Sequence, residues 1–101
     1  MDKEEIIRDY EKHGISIVDC GGETYRVTFD FSYSPIIEKN LRLYGLEFFL
    51  QSAWNNAVMR MLITNLVAAP KGRLLNTNPF TFEIEAPFVV VLFFIQRIIA
   101  E

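Results

Sequence analysis

The chain has 101 residues, of which half are hydrophobic and nine are Phe, and its formal net charge is −3. This length predicts one domain, residues 1–101, with a small interior and apolar surface left for a partner to cover. The acidic balance, without a dense basic face, argues against binding to nucleic acid. A single cysteine excludes an intramolecular disulfide framework and fits a reducing compartment, so we expect a cytoplasmic protein.

Residues 2–13 are predicted to form an amphipathic helix. Ile6, Ile7 and Tyr10 form its apolar side, and the acidic residues of the first turn are favoured there by the helix dipole. Gly14 is a natural end for this helix. The charged start of the chain, Asp-Lys-Glu-Glu at positions 2–5, argues against a signal peptide.

Residues 15–33 are predicted to form a β-hairpin. Its second strand has the clearest alternation in the chain, with apolar residues on one side at Tyr25, Val27, Phe29, Phe31 and Tyr33. A three-residue turn, Cys20-Gly21-Gly22, is favoured because it pairs Ile17 with Tyr25 and Ile15 with Val27. A two-residue turn would instead place these isoleucines on the polar face.

Two helices are predicted next. Ser34 and Pro35 favour the start of a helix that carries Ile37, Leu41 and Tyr44 on one face and ends at Gly45. Residues 46–67 then form a long helix with two apolar stripes, which predicts packing against two neighbours. The first stripe is Leu46, Leu50, Ala53, Trp54, Ala57 and Met61. The second stripe is Phe48, Val58, Met59, Leu62 and Leu66.

Residues 68–79 are predicted to form a loop with the basic tip Lys71-Gly72-Arg73, and Phe80, Phe82 and Ile84 then alternate as a third strand. The segment 88–99 opens with eight apolar residues in a row, Phe88 to Ile95, which are interrupted only by Gln96 and Arg97 before two more isoleucines. A helix after Pro87 is slightly favoured over a strand, which its β-branched residues would also suit. As a helix, residues 86–100 span about 22 Å, short of a bilayer core of about 30 Å, so a membrane anchor is not expected. The predicted fold class is therefore α+β.

The apolar surface exceeds what one small domain can cover. We therefore predict a non-enzymatic interaction module that acts as a homo-oligomer, with a dimer favoured and another protein as a further partner. The predicted interface lies on the C-terminal element and the central helix, at Phe88, Val90, Leu92, Phe94, Leu62 and Leu66.

An alternative function is the binding of a small anionic ligand or nucleotide in an inter-subunit pocket. Polar residues interrupt the apolar stripes of the long helix, and the loop at Lys71 is basic. The residues predicted for this pocket are Arg60, Asn56, Trp54, Lys71 and Arg73.

No catalytic residue, cofactor or metal site is predicted, so the sequence does not identify an enzyme. His13 follows a helix, where an ion pair with Asp9 is the simplest role, and Cys20 belongs to a turn with no cation beside it in sequence. Glu83 and Glu85 lie on one face of a strand, as residues of a solvated strand ordinarily do.

Overall fold

The computed structural model describes residues 2–61 and 69–100. In chain order its elements are α1 (Lys3–Lys12), β1 (Ile15–Asp19), β2 (Thr24–Phe29), a 3₁₀ turn (Phe31–Tyr33), α2 (Ser34–Tyr44), α3 (Leu46–Met61), β3 (Lys71–Thr77), β4 (Phe80–Glu85) and α4 (Phe88–Ile98). The predicted α+β class is confirmed.

The strands form an antiparallel sheet in the order β1-β2-β4-β3. One face of this sheet carries the core, because alternate residues of its strands are buried there. They are Ile15, Ile17, Tyr25, Val27, Phe29, Phe80, Phe82 and Ile84. Helices α3 and α4 pack against each other on this side. The opposite face of the sheet is open and carries Ser16, Val18 and Arg26, all exposed.

The register of the first hairpin differs from the predicted one. Ile17 pairs with Val27, where Tyr25 was predicted, and Ile15 pairs with Phe29, where Val27 was predicted. The backbone N–H of Cys20 donates to the carbonyl of Thr24, so the three loop residues are 21–23, one position later than predicted. This slip moves the pairing by two residues, and the apolar side chains therefore keep the predicted face.

Strand β2 ends at Phe29, four residues before the predicted end. The carboxylate of Asp30 accepts a hydrogen bond from the backbone N–H of Ser32 and starts a 3₁₀ turn there. Tyr33 returns to the core, with its ring 5.8 Å from that of Phe29, whereas Phe31 turns to solvent. The apolar alternation of the sequence continues past the end of the strand because the 3₁₀ turn returns the last ring of the series, that of Tyr33, to the core.

Residues 71–77, predicted as part of a loop, form the edge strand β3. This strand pairs with β4 and has a register shift between Leu74 and Asn76. Its sequence does not alternate, so only the partner strand makes it a strand.

The helices agree more closely with the prediction. Gly45 separates α2 from α3 with a φ of 82°, although Tyr33 rather than Ser34 occupies the N-cap position of α2.

The C-terminal element is the predicted helix, α4, which begins directly after Pro87. Its Phe94 ring packs edge-on against Phe82 of the sheet, 5.5 Å away, and Phe88 lies 5.4 Å from Tyr25. The residues of α4 that are buried are Val90, Val91, Phe94, Ile95 and Ile98. Within the described residues, the chain's own sheet and α3 thus cover most of this apolar helix.

Asn40 joins α2 to the end of α4 and is a buried polar side chain. Its amide nitrogen donates to the carbonyl of Ile98 at 2.8 Å and to that of Ala100 at 3.0 Å. These carbonyls belong to the last turn of α4 and the residues after it, where no intrahelical donor is available. Asn40 therefore fixes the angle at which α2 meets the C-terminal helix.

Replacing Asn40 by Ala is expected to lower the free energy of unfolding by about 1–3 kcal/mol, because it leaves two carbonyl groups without their donor. Urea denaturation followed by circular dichroism measures this. The matched control is Asn56→Ala, whose amide donates only to Ser52 of its own helix and should cost less. Equal losses in the two variants would contradict a special role for Asn40.

Lys3 attaches α1 to the hairpin. Its Nζ donates to the Asp19 carboxylate at 2.8 Å and to the Tyr25 hydroxyl at 3.1 Å. The hydrogen bond from Lys3 lowers the pKa of Asp19, and the bond to Asp19, followed by that to Tyr25, raises the pKa of Lys3. Because the Asp19 pKa is lowered in the folded state, its contribution to stability is present at neutral pH and is lost on acidification.

The Asp19→Asn variant is therefore expected to lose stability less steeply than the wild type as the pH falls from about 5 to about 2. Urea midpoints measured across this range test the difference. Glu11→Gln, which removes an exposed acid of α1, should leave the dependence of stability on pH as in the wild type. If the dependence of stability on pH were the same in Asp19→Asn as in the wild type, the stabilising role of the Lys3–Asp19 contact would be contradicted.

Candidate functional site

The outward side of α3 carries apolar residues that the fold leaves open. Its inward side is buried through Phe49, Leu50, Ala53 and Ala57, at helical spacing. On the opposite side lie Phe48, Gln51, Asn55, Val58 and Met59, which we call the α3 outer face. Met59 is 80% exposed, and Phe48 and Val58 are also exposed. One of the two predicted stripes is thus used by the core, and the described part of the other faces solvent.

Leu43, Tyr44 and Phe48 form an exposed cluster where α2 turns into α3, which we call the corner cluster. The rings of Tyr44 and Phe48 stack with centroids 4.8 Å apart, and both meet Phe49 edge-on. Leu43 is 62% exposed. The cluster arises because Gly45 permits a sharp turn that places the end of α2 beside the start of α3. Aromatic rings fixed in this way are typical anchors of protein interfaces.

A pair of amides lies between Phe48 and Met59 on the α3 outer face. The side-chain nitrogen of Gln51 donates to the side-chain oxygen of Asn55 at 3.0 Å. Beside them, Arg97 of α4 donates to the hydroxyl of Ser52, also at 3.0 Å. The apolar face therefore has a defined polar centre.

The predicted interface residues are placed differently from the expectation. Val90 and Phe94 have no exposed surface and belong to the core, so they cannot contact a partner in this fold. Phe88 and Leu92 are partly buried against that core. The remaining two, Leu62 and Leu66, lie outside the described residues. The sequence could not show this, because a run that is apolar all round does not indicate which neighbour covers it.

The residues predicted to bind an anion are not brought together. Lys71 pairs with Glu85 and Arg73 with Glu83 on the open face of the sheet, where Arg73 Nε lies 3.1 Å from a Glu83 oxygen. A shallow depression of about 300 Å³ there has both acids in its lining, and they offset the positive charge. An anion would meet an approximately neutral surface.

The other members of that predicted set lie on the helix side of the sheet. Trp54 packs partly buried against the core, and Asn56 donates its amide to the carbonyl of Ser52, four residues earlier. The side chain of Arg60 lies outside the described part of the chain. The sheet therefore separates Trp54 and Asn56 from the basic residues of β3.

A small pocket of about 220 Å³ next to the corner cluster combines two cations with aromatic walls. Its lining residues are Lys39, Asn40, Leu43, Tyr44, Phe48, Phe49, Arg97 and Ala100, with no acid among them. No local pattern in the sequence indicates this pocket. Lys39 and Arg97 are 58 positions apart, and only the docking of α4 against α2 brings them to one site.

Residues with catalytic or metal-binding chemistry are dispersed. Within residues 2–61 and 69–100, no group of three His, Cys, Asp or Glu side chains is placed to hold a metal ion. The His13 ring shares a 2.8 Å hydrogen bond with the carbonyl of Asp9, and Cys20 is exposed in the hairpin turn. Glu83 lies between Arg26 and Arg73. Each of these side chains has a position that is ordinary for a residue at a protein surface.

The chain matches no protein-family model, no curated protein and no solved structure. No helix in the described residues combines the length and hydropathy needed to cross a membrane. Function therefore has to be inferred from the fold and its surface, on which the α3 outer face and the corner cluster are the most distinctive features.

Proposed function

We propose that the chain is a non-enzymatic interaction module that acts as a homo-oligomer, in the simplest case a dimer. The α3 outer face and the corner cluster form the contact. The observation that supports this most directly is the exposure of Phe48 and Met59 on the α3 outer face and of Leu43 at the end of α2. Exposed apolar patches of this kind mark interaction sites on small domains.

The composition of this surface suits a contact between identical copies. A two-fold contact buries the same patch on both subunits, so the patch has to be self-complementary. The α3 outer face is mainly apolar, with neutral amides at its centre, and it therefore meets its own copy without charge repulsion. Two α3 helices packed antiparallel would bring Phe48 of one copy near Met59 of the other.

The exposed apolar residues can supply the centre of such a contact. A large aromatic side chain can bury about 150–250 Å², and Phe48 and Tyr44 keep about half of their surface exposed. With Leu43, Val58 and Met59 they provide part of the roughly 800 Å² per partner of a standard interface, and the polar residues around them provide the rest. At about 25 cal/mol per Å² the apolar part contributes several kcal/mol before the entropy of association is subtracted.

The amide pair on this face gives the contact a register. Gln51 and Asn55 would be enclosed by apolar residues, where an unsatisfied amide costs free energy. Only an arrangement that keeps their hydrogen bonds is then stable. A single polar residue in an otherwise apolar helix contact is known to specify alignment in this way.

Met59→Glu is expected to convert the oligomer into a monomer, because it places a charge inside the apolar contact, next to Phe48 of the other copy. Size-exclusion chromatography with light scattering at micromolar concentration measures the mass, against 11.7 kDa for one chain. The variant should keep its circular dichroism spectrum, since Met59 is not part of the core.

Val18→Glu is the matched control. Val18 is an exposed apolar residue on the open sheet face, outside the α3 outer face and the corner cluster, and its variant should keep the mass of the wild type. A wild-type protein that is monomeric at all concentrations up to about 100 µM would overturn the homo-oligomer proposal.

A second candidate function is the binding of a small planar anion in the pocket beside the corner cluster. The observation that favours it is the lining itself, where Lys39 and Arg97 accompany the stacked rings of Tyr44 and Phe48. Guanidinium and aromatic groups together suit a carboxylate or phosphate attached to a ring. Because Phe48 also belongs to the proposed contact, this would be an inter-subunit pocket.

Addition of AMP or benzoate at millimolar concentration is expected to raise the midpoint of thermal unfolding, because a ligand that binds only the folded state stabilises it. The shift should decrease at high salt and disappear in Arg97→Gln. Arg42→Gln, which removes an exposed cation of α2 outside the pocket, should keep it. A shift retained in Arg97→Gln would exclude this pocket.

A further inference from the structure

A groove of about 700 Å³ lies between the first half of α2 and the hairpin of β3 and β4. We call it the β3 groove. Its lining residues are Phe31, Ser34, Pro35, Glu38, Leu41, Leu74, Thr77, Asn78 and Phe80. The corner cluster is at the opposite end of α2, so the two surfaces are separate.

Helix α3 packs closely on the first half of β3. Gly72 permits close contact there, since a Cβ at this position would lie 2.8 Å from Ile84 Cδ1 and 3.2 Å from the methyl groups of Leu50. Leu74, two residues later, faces the same side opposite Phe82. Leu74 nevertheless remains 40% exposed and lines the groove. The second half of β3 thus presents an inward-facing apolar residue that is only partly covered.

The lining has the chemistry of a binding site for apolar side chains. Leu41 and Phe80 form its deeper part, and Phe31, which is 62% exposed, stands at its rim. Glu38 is the one ionisable residue among those that line it. Clefts that are mainly apolar, with a few polar groups to orient a ligand, are typical binding sites. The single carboxylate would favour a cationic group in whatever binds.

The backbone beside the groove can receive an extended segment. β3 is the last strand in the sheet order, and among the described residues it pairs only with β4. The outer edge of such a strand offers unpaired N–H and C=O groups to an added strand. Every second side chain of an added segment would point to the helix side. Those side chains would cover Leu74 and enter the groove.

The occupant that fits best is a short segment of a different protein rather than a second copy of this chain. The register shift after Leu74 and the cationic residues Lys71 and Arg73 are devices that discourage continuous edge-to-edge pairing of sheets. A second copy of β3 would also bring no cation to Glu38, because its Lys71 and Arg73 lie on the open face of the sheet.

We propose that the β3 groove binds an extended peptide segment of a partner protein, with apolar side chains in the groove and a lysine or arginine next to Glu38. The backbone of this segment pairs with the outer edge of β3 over a few residues. Affinity then comes from main-chain hydrogen bonds and from the apolar residues, and specificity from the carboxylate.

Selection of a random seven-residue peptide library displayed on phage against the immobilised protein tests this. The enriched sequences are expected to alternate apolar residues and to contain a lysine or arginine at a constant position. Synthetic versions with a fluorescent label give Kd by polarisation. Phe31→Glu and Leu74→Glu should each weaken binding by about tenfold or more, as is usual when a central apolar contact is lost.

A charge reversal identifies the contact with Glu38. Glu38→Lys should weaken the binding of the selected basic peptide. It should strengthen the binding of the same peptide when glutamate replaces its lysine or arginine. Val18→Glu, which changes an exposed apolar residue of the open sheet face, outside the groove and outside the proposed contact, is the matched control and should leave Kd unchanged. The proposal is overturned if no common pattern is enriched, if Val18→Glu weakens binding as much as Phe31→Glu, or if the charge preference does not depend on residue 38. It is also overturned if Phe31→Glu dissociates an oligomer, since a second copy would then occupy the groove.

Discussion

The rest of this structure depends on the burial of one helix, α4. Its first eight residues, Phe88 to Ile95, are all apolar, so it is stable only where neighbours cover much of its surface. The inner face of the sheet covers one side through Phe82 and Tyr25, and α3 covers another. Asn40 satisfies the carbonyl groups at its end. Once α4 occupies this position, the interior of a chain of this size is largely filled.

The surface follows from that arrangement. Helix α3 has apolar residues on two sides, and the core has room for one of them. The side with Leu50 and Ala53 is buried, and the side with Phe48 and Met59 faces outward. Likewise, α3 lies close over Gly72, whereas Leu74 is 40% exposed and lines a groove at the edge of the sheet. Both candidate interaction surfaces are therefore parts of the same packing arrangement.

The open face of the sheet differs in charge from the corner cluster on the helix side. On the open face, Glu83 lies between Arg26 and Arg73 and partly offsets their charge. Lys39 and Arg97 both line the corner pocket instead, and the described residues of that lining include no acid. The basic residues that are close in sequence thus lie beside carboxylates, and those that share the corner pocket are far apart in sequence.

Several features of this protein could be read from the sequence by itself. The alternation in β4 and the first part of β2, the stop at Gly45 and the helix after Pro87 depend on the local backbone and on the period of the apolar residues, and the structure confirms them. These features also give the α+β class. The second apolar side of α3 was also visible in the sequence, and its described part is the exposed one.

Other features were decided only by the tertiary structure. Residues 71–77 become a strand because β4 is beside them, and the hairpin register depends on a turn whose residue 23 adopts a positive φ. Val90 and Phe94 are core residues rather than interface residues because α3 and the sheet reach them first. The physical reason is the same in each case: the period of a sequence shows which residues share a face, whereas only the packing of distant segments determines which face is covered.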